Sequence, residues 1–407
     1  MVDIKSLSGR KKVSLRPPTM WSVILTATLI LGAYYSFIRF TQGLGPVSAM
    51  NNRVPWGMWV GFDVLCGVGL AAGGFTITAM VYIFNIERFH HITRPTVLTA
   101  YLGYLMVSIA LIYDIGRPYA IWHPLFMWNP HSVMFEVSLC VTIYTSVLTF
   151  EFLPIIFERV GLARAAAFMR RLIIPLVLMG VLLSTLHQSS LGTVFLIAPY
   201  KVYPLWYTPL LPVFFFVSAI TVGLAMTVFE SYLSYRFFRR QLDVEVLDTL
   251  LRICGLLLTL YFTLKIIDLK DRGFLPLLLD LKTTEVQMFL LEIFLGAIAP
   301  VLLIMKPSFR RRRRGLFIIS LLVILGFVMN RLNVSVTAFA ASNGGGYFPT
   351  FPEFMVSAFM VALGFAAFSF AVKHLSIFPE EEPLKQDFDD KTRAGMRPVD
   401  IVKKPAL

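Results

Sequence analysis

The sequence predicts an all-α, polytopic membrane protein with ten transmembrane helices. Of its 407 residues, 57% are hydrophobic and only 15% are charged, and the mean hydropathy is +0.72. Soluble domains are about a quarter charged, so this composition is unusual for one. The apolar residues also form runs of roughly 20, the length that crosses a bilayer as a helix. Because lipid offers the backbone no hydrogen-bond partners, such runs are expected to be helical.

Ten apolar runs of this length lie along the chain. The first follows a basic segment and could be confused with a signal peptide, but it is longer and lacks a small-residue cleavage pattern. We therefore expect a ten-helix domain at 20–378, with cytoplasmic segments at 1–19 and 379–407. The predicted spans are 20–41, 57–85, 95–116, 131–155, 172–190, 205–230, 247–269, 285–305, 315–337 and 353–376.

Positive charge is concentrated at alternate ends of these spans. The net charge of +13 could suggest a nucleic-acid partner, but 27 of the 37 Lys and Arg fall in the N-terminal segment, in alternate loops or from Lys373 onward. This bias is the positive-inside pattern, which predicts a bacterial cytoplasmic-membrane protein with both termini in the cytoplasm. The arginine run 310–314 is interpreted as an orientation signal that contacts lipid head groups. No nucleic-acid partner is therefore expected.

Cysteine usage limits the cofactors that the chain could hold. Cys66, Cys140 and Cys254 are single, lie inside predicted spans and form no CxxC motif. The chain is therefore expected to carry no iron–sulfur cluster and no structural metal of its own. The glycines of "CGVGLAAGGF" lie within a span and follow no strand, so they favour close helix packing over nucleotide binding.

The stretch "LLSTLHQSSLGTVF" places polar residues at the end of the fifth apolar run. His187 lies 15 residues after Leu172, or about 22 Å along a helix axis. In a hydrocarbon core of about 30 Å this places His187 in the outer third of the membrane, with Gln188 and Ser189 just beyond it.

Other ionisable residues are predicted at a similar depth on the same side. Charged groups in lipid are costly and usually mark a site or pathway, which favours one shared polar site. The alternative is a set of independent ion pairs, such as Asp114 with Arg117. The residues concerned are Asp63, Asp114, Arg117, Glu136 and Arg331.

Two further features leave alternatives open. Glu292 lies about two turns inside the eighth span, where a proton-relay carboxylate and a hydrogen-bonded interhelical acid are equally expected. A transmembrane haem would need two facing histidines. Only His187 lies clearly within a span, with His131 as its one conceivable partner, so we expect no haem.

Several motifs resemble the NrfD-like, polysulfide-reductase-type family of membrane subunits, over roughly residues 20–380. In pattern the chain is most similar to the ten-helix branch, which includes the quinone-linked membrane subunit of nickel–iron hydrogenases and the membrane subunit of menaquinone reductase complexes. The motifs are "PWGMWVGFDV", "VYIFN", "DIGRP", "SVMFE", "LHQSSLGT", "YKVYPLW" and "NGGGYFPTFPE".

The resemblance implies two adjacent four-helix bundles, about 57–190 and about 205–337, with the first and last helices flanking them. It implies no haem or cluster in the chain, a periplasmic ferredoxin-like iron–sulfur subunit as electron donor, and a quinone near the outer face in the first bundle. A further catalytic or cytochrome subunit is expected, of hydrogenase, molybdopterin or multihaem type. The matching positions are Asp63, Tyr104, Asp114, Arg117, Glu136, His187, Gln188 and Ser189.

Quinone chemistry explains why these residue types would be needed. Reduction of a quinone consumes two electrons and two protons, so the site must hydrogen-bond the carbonyl oxygens and supply protons. We expect His187 to donate to a carbonyl oxygen, with Glu136 and Asp114 as proton carriers. The ring would be oriented by Gln188, Ser189, Tyr104 and Asp63, with Arg117 balancing charge and Glu292 and Arg331 as further relay groups.

The predicted function is therefore that of a quinone-reactive membrane subunit of a respiratory oxidoreductase complex, with menaquinone as the expected substrate. The competing hypothesis is a passive anchor, or a proton-translocating module without a quinone site. An independent transporter is disfavoured, because its broken helices would place polar residues at mid-membrane and not at one side.

Overall fold

The computed structural model describes residues 20–54, 56–238, 242–344, 347–375 and 377–378. The predicted cytoplasmic segments 1–19 and 379–407 lie outside the described residues. Within the described ranges the chain forms ten helices long and apolar enough to cross a membrane, and no strand. The all-α prediction is confirmed, and the chain is a multi-pass integral membrane protein.

The helices alternate in direction through the membrane. We number them α1 (Met20–Gln42), α2 (Trp59–Ile83), α3 (Glu87–Asp114), α4 (Val133–Val160), α5 (Ile173–Leu196), α6 (Leu211–Phe238), α7 (Val244–Asp271), α8 (Thr284–Ile304), α9 (Arg313–Asn343) and α10 (Phe351–His374).

The helix ends define two faces of the protein. We call the face where α1 ends and α2 begins the polar-loop face, and the opposite face the basic-loop face. Contacts between loops confirm the alternation, since Met58 N donates to the Tyr347 hydroxyl at the polar-loop face. At the basic-loop face, the Arg88 side chain donates to the Thr249 hydroxyl.

Two four-helix bundles lie side by side, as the family resemblance implies. Helices α2 to α5 form the first bundle and α6 to α9 the second, with α1 and α10 paired against α3. The bundles meet along α2, α5, α6 and α9, where the largest buried apolar cluster is found.

Glycine allows the two bundles to approach closely. A Cβ on Gly73 of α2 would lie 2.9 Å from the Gly223 carbonyl oxygen of α6, and a Cβ on Gly223 would lie 2.6 Å from Gly73 N. These backbones are in direct contact, which is the small-residue packing expected between membrane helices.

Helix α5 is longer than its apolar run predicts. The predicted end at residue 190 lies in the polar "HQSS" stretch, but α5 continues to Leu196. Backbone amides in a membrane must stay paired, so the helix passes through the polar residues. His187 consequently lies nine residues, or about 13 Å, before the end of α5.

Candidate functional site

The first polar site is centred on His187 in the interior of the first bundle. The imidazole is fully buried, and neither ring nitrogen has a hydrogen-bond partner among the described residues. Its ring centroid lies 5.9 Å from that of Tyr104 on α3. An unpartnered buried donor costs about 1–3 kcal/mol, so a histidine in this state needs an explanation.

Unpartnered polar atoms surround the imidazole. The side chains of Tyr104 and Tyr144 are buried and pack edge to face, with ring centroids 4.5 Å apart. The Ser184 hydroxyl lies beside both phenol oxygens. No normal hydrogen bond to a described residue is formed by these three hydroxyls or by Gln188 Oε1. We call the five side chains the His187 cluster: Tyr104, Tyr144, Ser184, His187 and Gln188.

Three helices position the His187 cluster. Ser184, His187 and Gln188 are spaced three and four residues apart, so they share the face of α5 that is turned into the bundle. Gln188 Nε2 donates to the Val68 carbonyl oxygen of α2 at 3.1 Å, which fixes the amide and directs Oε1 away from that contact. The Tyr104 phenol lies beside the side chains of both Ser184 and Gln188, so α3 and α5 bring these polar groups together.

Glu136 joins this site to the polar-loop face. It lies in the first turn of α4, is half-buried, and its Oε1 accepts a hydrogen bond from the Ser190 hydroxyl at 2.6 Å. Ser190 is one turn after His187 on α5. Ser189, also predicted as a site residue, is half-buried on the same helix.

Asp63 and Asp114, by contrast, belong to a second group at the contact of the bundle with α1 and α10. Asp63 Oδ2 accepts from the Ser357 hydroxyl of α10 at 2.7 Å. Asp114 interacts electrostatically with Arg39 of α1 and with the Glu353 carboxylate. We call Arg39, Asp63, Asp114 and Glu353 the carboxylate cluster.

Extensive hydrogen bonding fixes Glu353 in this cluster. It caps α10 by accepting from Thr350 N at 2.7 Å, and it also accepts from Ala49 N at 3.2 Å. The Tyr347 hydroxyl donates to its other oxygen. Burial and the adjacent carboxylate raise the pKa of Tyr347, so this phenol remains a donor.

The two groups lie at different depths. Tyr104 and Asp114 are ten residues apart on α3, or about 15 Å along its axis. Asp63 lies in a π-helical turn, Trp59–Val64, a distortion that is frequent at functional sites. Among the predicted quinone-site residues, Tyr104, His187 and Gln188 therefore belong to the His187 cluster, whereas Asp63 and Asp114 belong to the carboxylate cluster.

Arg117 lies outside both clusters. It is exposed in the loop after α3, whereas the guanidinium beside Asp114 is that of Arg39. Arg39 is buried and donates to the carbonyl oxygens of Tyr113 and Ile115 at 2.7 and 2.8 Å.

A third polar group lies in the second bundle around Glu292. The buried carboxylate pairs with Lys265 Nζ at 2.9 Å and also accepts from Asn330 Nδ2 at 2.7 Å. Its other oxygen accepts from Trp206 Nε1 and Asn333 Nδ2, both at 2.9 Å. Glu292 thus has an ionic partner as well as the interhelical hydrogen bonds that the sequence offered as an alternative.

Arg331 extends this network. Its guanidinium lies over the Phe215 ring at 3.7 Å from the centroid, and donates to Asn330 Oδ1 at 2.6 Å and to the Ser218 hydroxyl at 2.8 Å. A cavity of about 40 Å³ adjoins Glu292 and Asn330. Glu292 and Arg331 therefore share a polar centre, separate from the histidine.

Comparison with known proteins assigns the family. The chain belongs to the polysulphide reductase NrfD family, whose profile matches residues 46–341. It is 37% identical to a Nitratidesulfovibrio vulgaris protein over 381 residues, covering 90% of this chain and 96% of the relative. The resemblance identified from the sequence motifs is confirmed.

Two further relatives carry descriptive names. A probable Ni/Fe-hydrogenase 2 b-type cytochrome subunit of Escherichia coli K12 is 33% identical, with 97% of this chain and 99% of the relative covered. The integral membrane subunit of menaquinone reductase from Nitratidesulfovibrio vulgaris is 28% identical, with 93% and 96% covered.

Proposed function

We propose that this chain is the quinone-reactive membrane subunit of a respiratory oxidoreductase complex. Electrons arrive from an iron–sulfur partner at the polar-loop face and reduce menaquinone bound at the His187 cluster, with uptake of two protons. The observation that carries the proposal is the set of buried, unpartnered polar atoms on Tyr104, Tyr144, Ser184, His187 and Gln188. A ligand with two carbonyl oxygens would accept hydrogen bonds from the donors among these side chains.

The names of the relatives support this choice of substrate and partners. One relative is described as a subunit of a menaquinone reductase, and another as a subunit of a hydrogenase. We therefore infer menaquinone as substrate and a separate catalytic subunit as partner. The distribution of Lys and Arg supports a cytoplasmic location for the basic-loop face in a bacterial inner membrane.

The residues of the His187 cluster would have distinct roles. His187 donates to one carbonyl oxygen, and its neutral imidazole can pass on that proton because its second nitrogen can accept another. Tyr104, Tyr144 and Ser184 carry hydroxyls that orient the ring from α3, α4 and α5. Glu136 is the half-buried carboxylate through which protons reach the cluster from the polar-loop face.

The content of quinone in the purified complex tests the proposal. We expect the wild-type complex to contain extractable menaquinone and the His187→Ala complex to retain much less. A complex that assembles fully and contains no quinone in either form would contradict the proposal. It would favour the second candidate, a proton-translocating module, for which the buried Lys265–Glu292 pair is the supporting observation.

Replacing Glu136 by glutamine is expected to lower quinone-coupled turnover by about 100-fold, the scale of a lost general acid or base. Glutamine keeps the shape and can still accept from Ser190, so assembly and reduction of an artificial acceptor by the electron-donating subunits are expected to persist. Steady-state turnover with each acceptor measures the difference. Glu285→Gln is a matched control, since Glu285 lies half-buried in the first turn of α8 at the same face. Normal quinone turnover in Glu136→Gln would remove this carboxylate from the mechanism.

We expect the chain to bind no b-type haem. All six histidines are described, and His187 alone is buried, whereas a transmembrane haem with two histidine ligands needs a second one facing it. The isolated chain should therefore show no Soret band in its absorption spectrum. A reproducible b-type spectrum that disappears in His187→Ala would contradict this expectation and assign the histidine to haem.

A further inference from the structure

Three arginines gather around one carboxylate at the basic-loop face, far from the sites above. Asp248 of α7 is buried, and its Oδ1 accepts from Arg310 Nε. Its Oδ2 lies 2.7 Å from an Arg252 terminal nitrogen and 3.7 Å from Arg311 Nε. We call Asp248, Arg252, Arg310 and Arg311 the arginine cluster.

The arginine cluster carries an excess of two positive charges, since one carboxylate faces three guanidiniums. Arg310 is buried and also donates to the Ile304 carbonyl oxygen, so its bonding is internal. The side chains of Arg252 and Arg311 are 52% and 63% exposed. They share a single oxygen of Asp248, so most of their N–H donors face outward.

Exposed apolar side chains lie close to the arginine cluster. Leu256 follows Arg252 by one turn on α7 and is 71% exposed, and Met305, just after α8, is 70% exposed. The two helices touch at this level, because a Cβ on Gly255 would lie 2.9 Å from the Ile304 side chain. The exposed apolar residues therefore flank one helix crossing, directly beneath the guanidiniums.

We propose that the arginine cluster binds the phosphate of an anionic phospholipid, with an acyl chain lying along the exposed faces of α7 and α8. Arginine guanidiniums match phosphate oxygens in charge and in bidentate geometry. Basic pockets between membrane helices at the cytoplasmic side suit acidic lipid head groups. Asp248 and Arg310 form the buried ion pair that holds the site in place. Arg252 and Arg311 contact the phosphate. The proposal does not depend on quinone chemistry.

Lipid retention tests this site. The complex is purified in mild detergent from membranes that contain phosphatidylglycerol, and bound lipid is counted by native mass spectrometry. Arg252→Gln/Arg311→Gln is expected to lower the affinity for phosphatidylglycerol by at least tenfold, at about fivefold for each basic residue lost. Phosphatidylcholine binding should not change. Because the Asp248–Arg310 pair is retained, the melting temperature in lipid-free detergent should stay close to that of the wild type.

The control variant removes two arginines from the basic-loop face of the first bundle. Arg159 and Arg164 are both exposed there, and Arg159→Gln/Arg164→Gln should retain phosphatidylglycerol as the wild type does. Equal retention by the arginine-cluster variant and the wild type, or equal loss in the control, would overturn the proposal. Displacement of the lipid by millimolar inorganic phosphate would assign the site to a soluble phosphate and overturn the lipid assignment.

Discussion

Replacing His187 by alanine is expected to weaken menaquinone binding on the order of tenfold and to abolish most quinone-coupled turnover. The imidazole is buried with both nitrogens unpartnered, so in the proposed complex its donor is satisfied by the quinone alone. Removing it leaves a carbonyl oxygen unpaired at a cost of about 1–3 kcal/mol, which corresponds to roughly a five- to 150-fold loss of affinity. Titration of a quinone analogue against the assembled complex measures the effect.

A second variant separates binding from proton transfer. His187→Gln keeps a donor but does not titrate, so it should bind the analogue better than His187→Ala and still turn over slowly. His131→Ala, which removes an exposed histidine at the polar-loop face, is the control and should behave as the wild type. If His187 served only in helix packing, both His187 variants would assemble poorly, and any surviving complex would bind the analogue with unchanged affinity.

Replacing Glu292 by glutamine is expected to destabilise the protein by about 3 kcal/mol or more. The change leaves the Lys265 ammonium buried without its carboxylate, and breaking a buried ion pair in this way is far more costly than replacing both partners. The amount of assembled complex in the membrane and its melting temperature in detergent should both fall. Asp271→Asn, at the exposed end of the same helix as Lys265, is the control and should have little effect.

A double variant tests whether the unpaired Lys265 ammonium causes the loss of stability. In Lys265→Met/Glu292→Gln the buried ammonium is removed together with its carboxylate, and the glutamine amide oxygen can still accept from Trp206 and Asn333. Stability should therefore recover in large part relative to Glu292→Gln. A double variant no more stable than the single one would show that the Lys265–Glu292 pairing is not the source of the loss.

The ten helices could be predicted from apolar runs because lipid imposes a fixed length and internal hydrogen bonding. The ends of the helices could be predicted less well, as α5 shows. Its apolar run is interrupted by "HQSS", but the helix continues to Leu196 because the backbone must remain paired at that depth.

The site could be predicted only in part. The depth of a residue in the membrane does not give the direction in which its side chain points. Asp114 and Tyr104 lie on one helix, but Asp114 interacts with Arg39 of α1 and Tyr104 lies beside His187. The sequence pairs Asp114 with Arg117, its nearest cation along the chain, and gives no signal for Arg39. Only the packing of α1 against the bundle brings Arg39 to that carboxylate.

Other site residues were missed for different reasons. Tyr144 is one aromatic residue among many in apolar spans, and nothing in its sequence neighbourhood distinguishes it. Lys265 gave a usable signal, since a lysine within "LTLYFTLKIIDL" requires a buried partner. Glu292 on the next helix provides that partner.

The most direct test of the proposed quinone site is photoaffinity labelling of the purified complex with an azido-quinone, followed by peptide mapping. We expect the label to fall on α3, α4 and α5 around Tyr104, Tyr144 and His187, and added menaquinone to prevent this labelling. Displaceable label confined to the second bundle, for example around Glu292 and its adjoining cavity, would contradict a quinone site at His187.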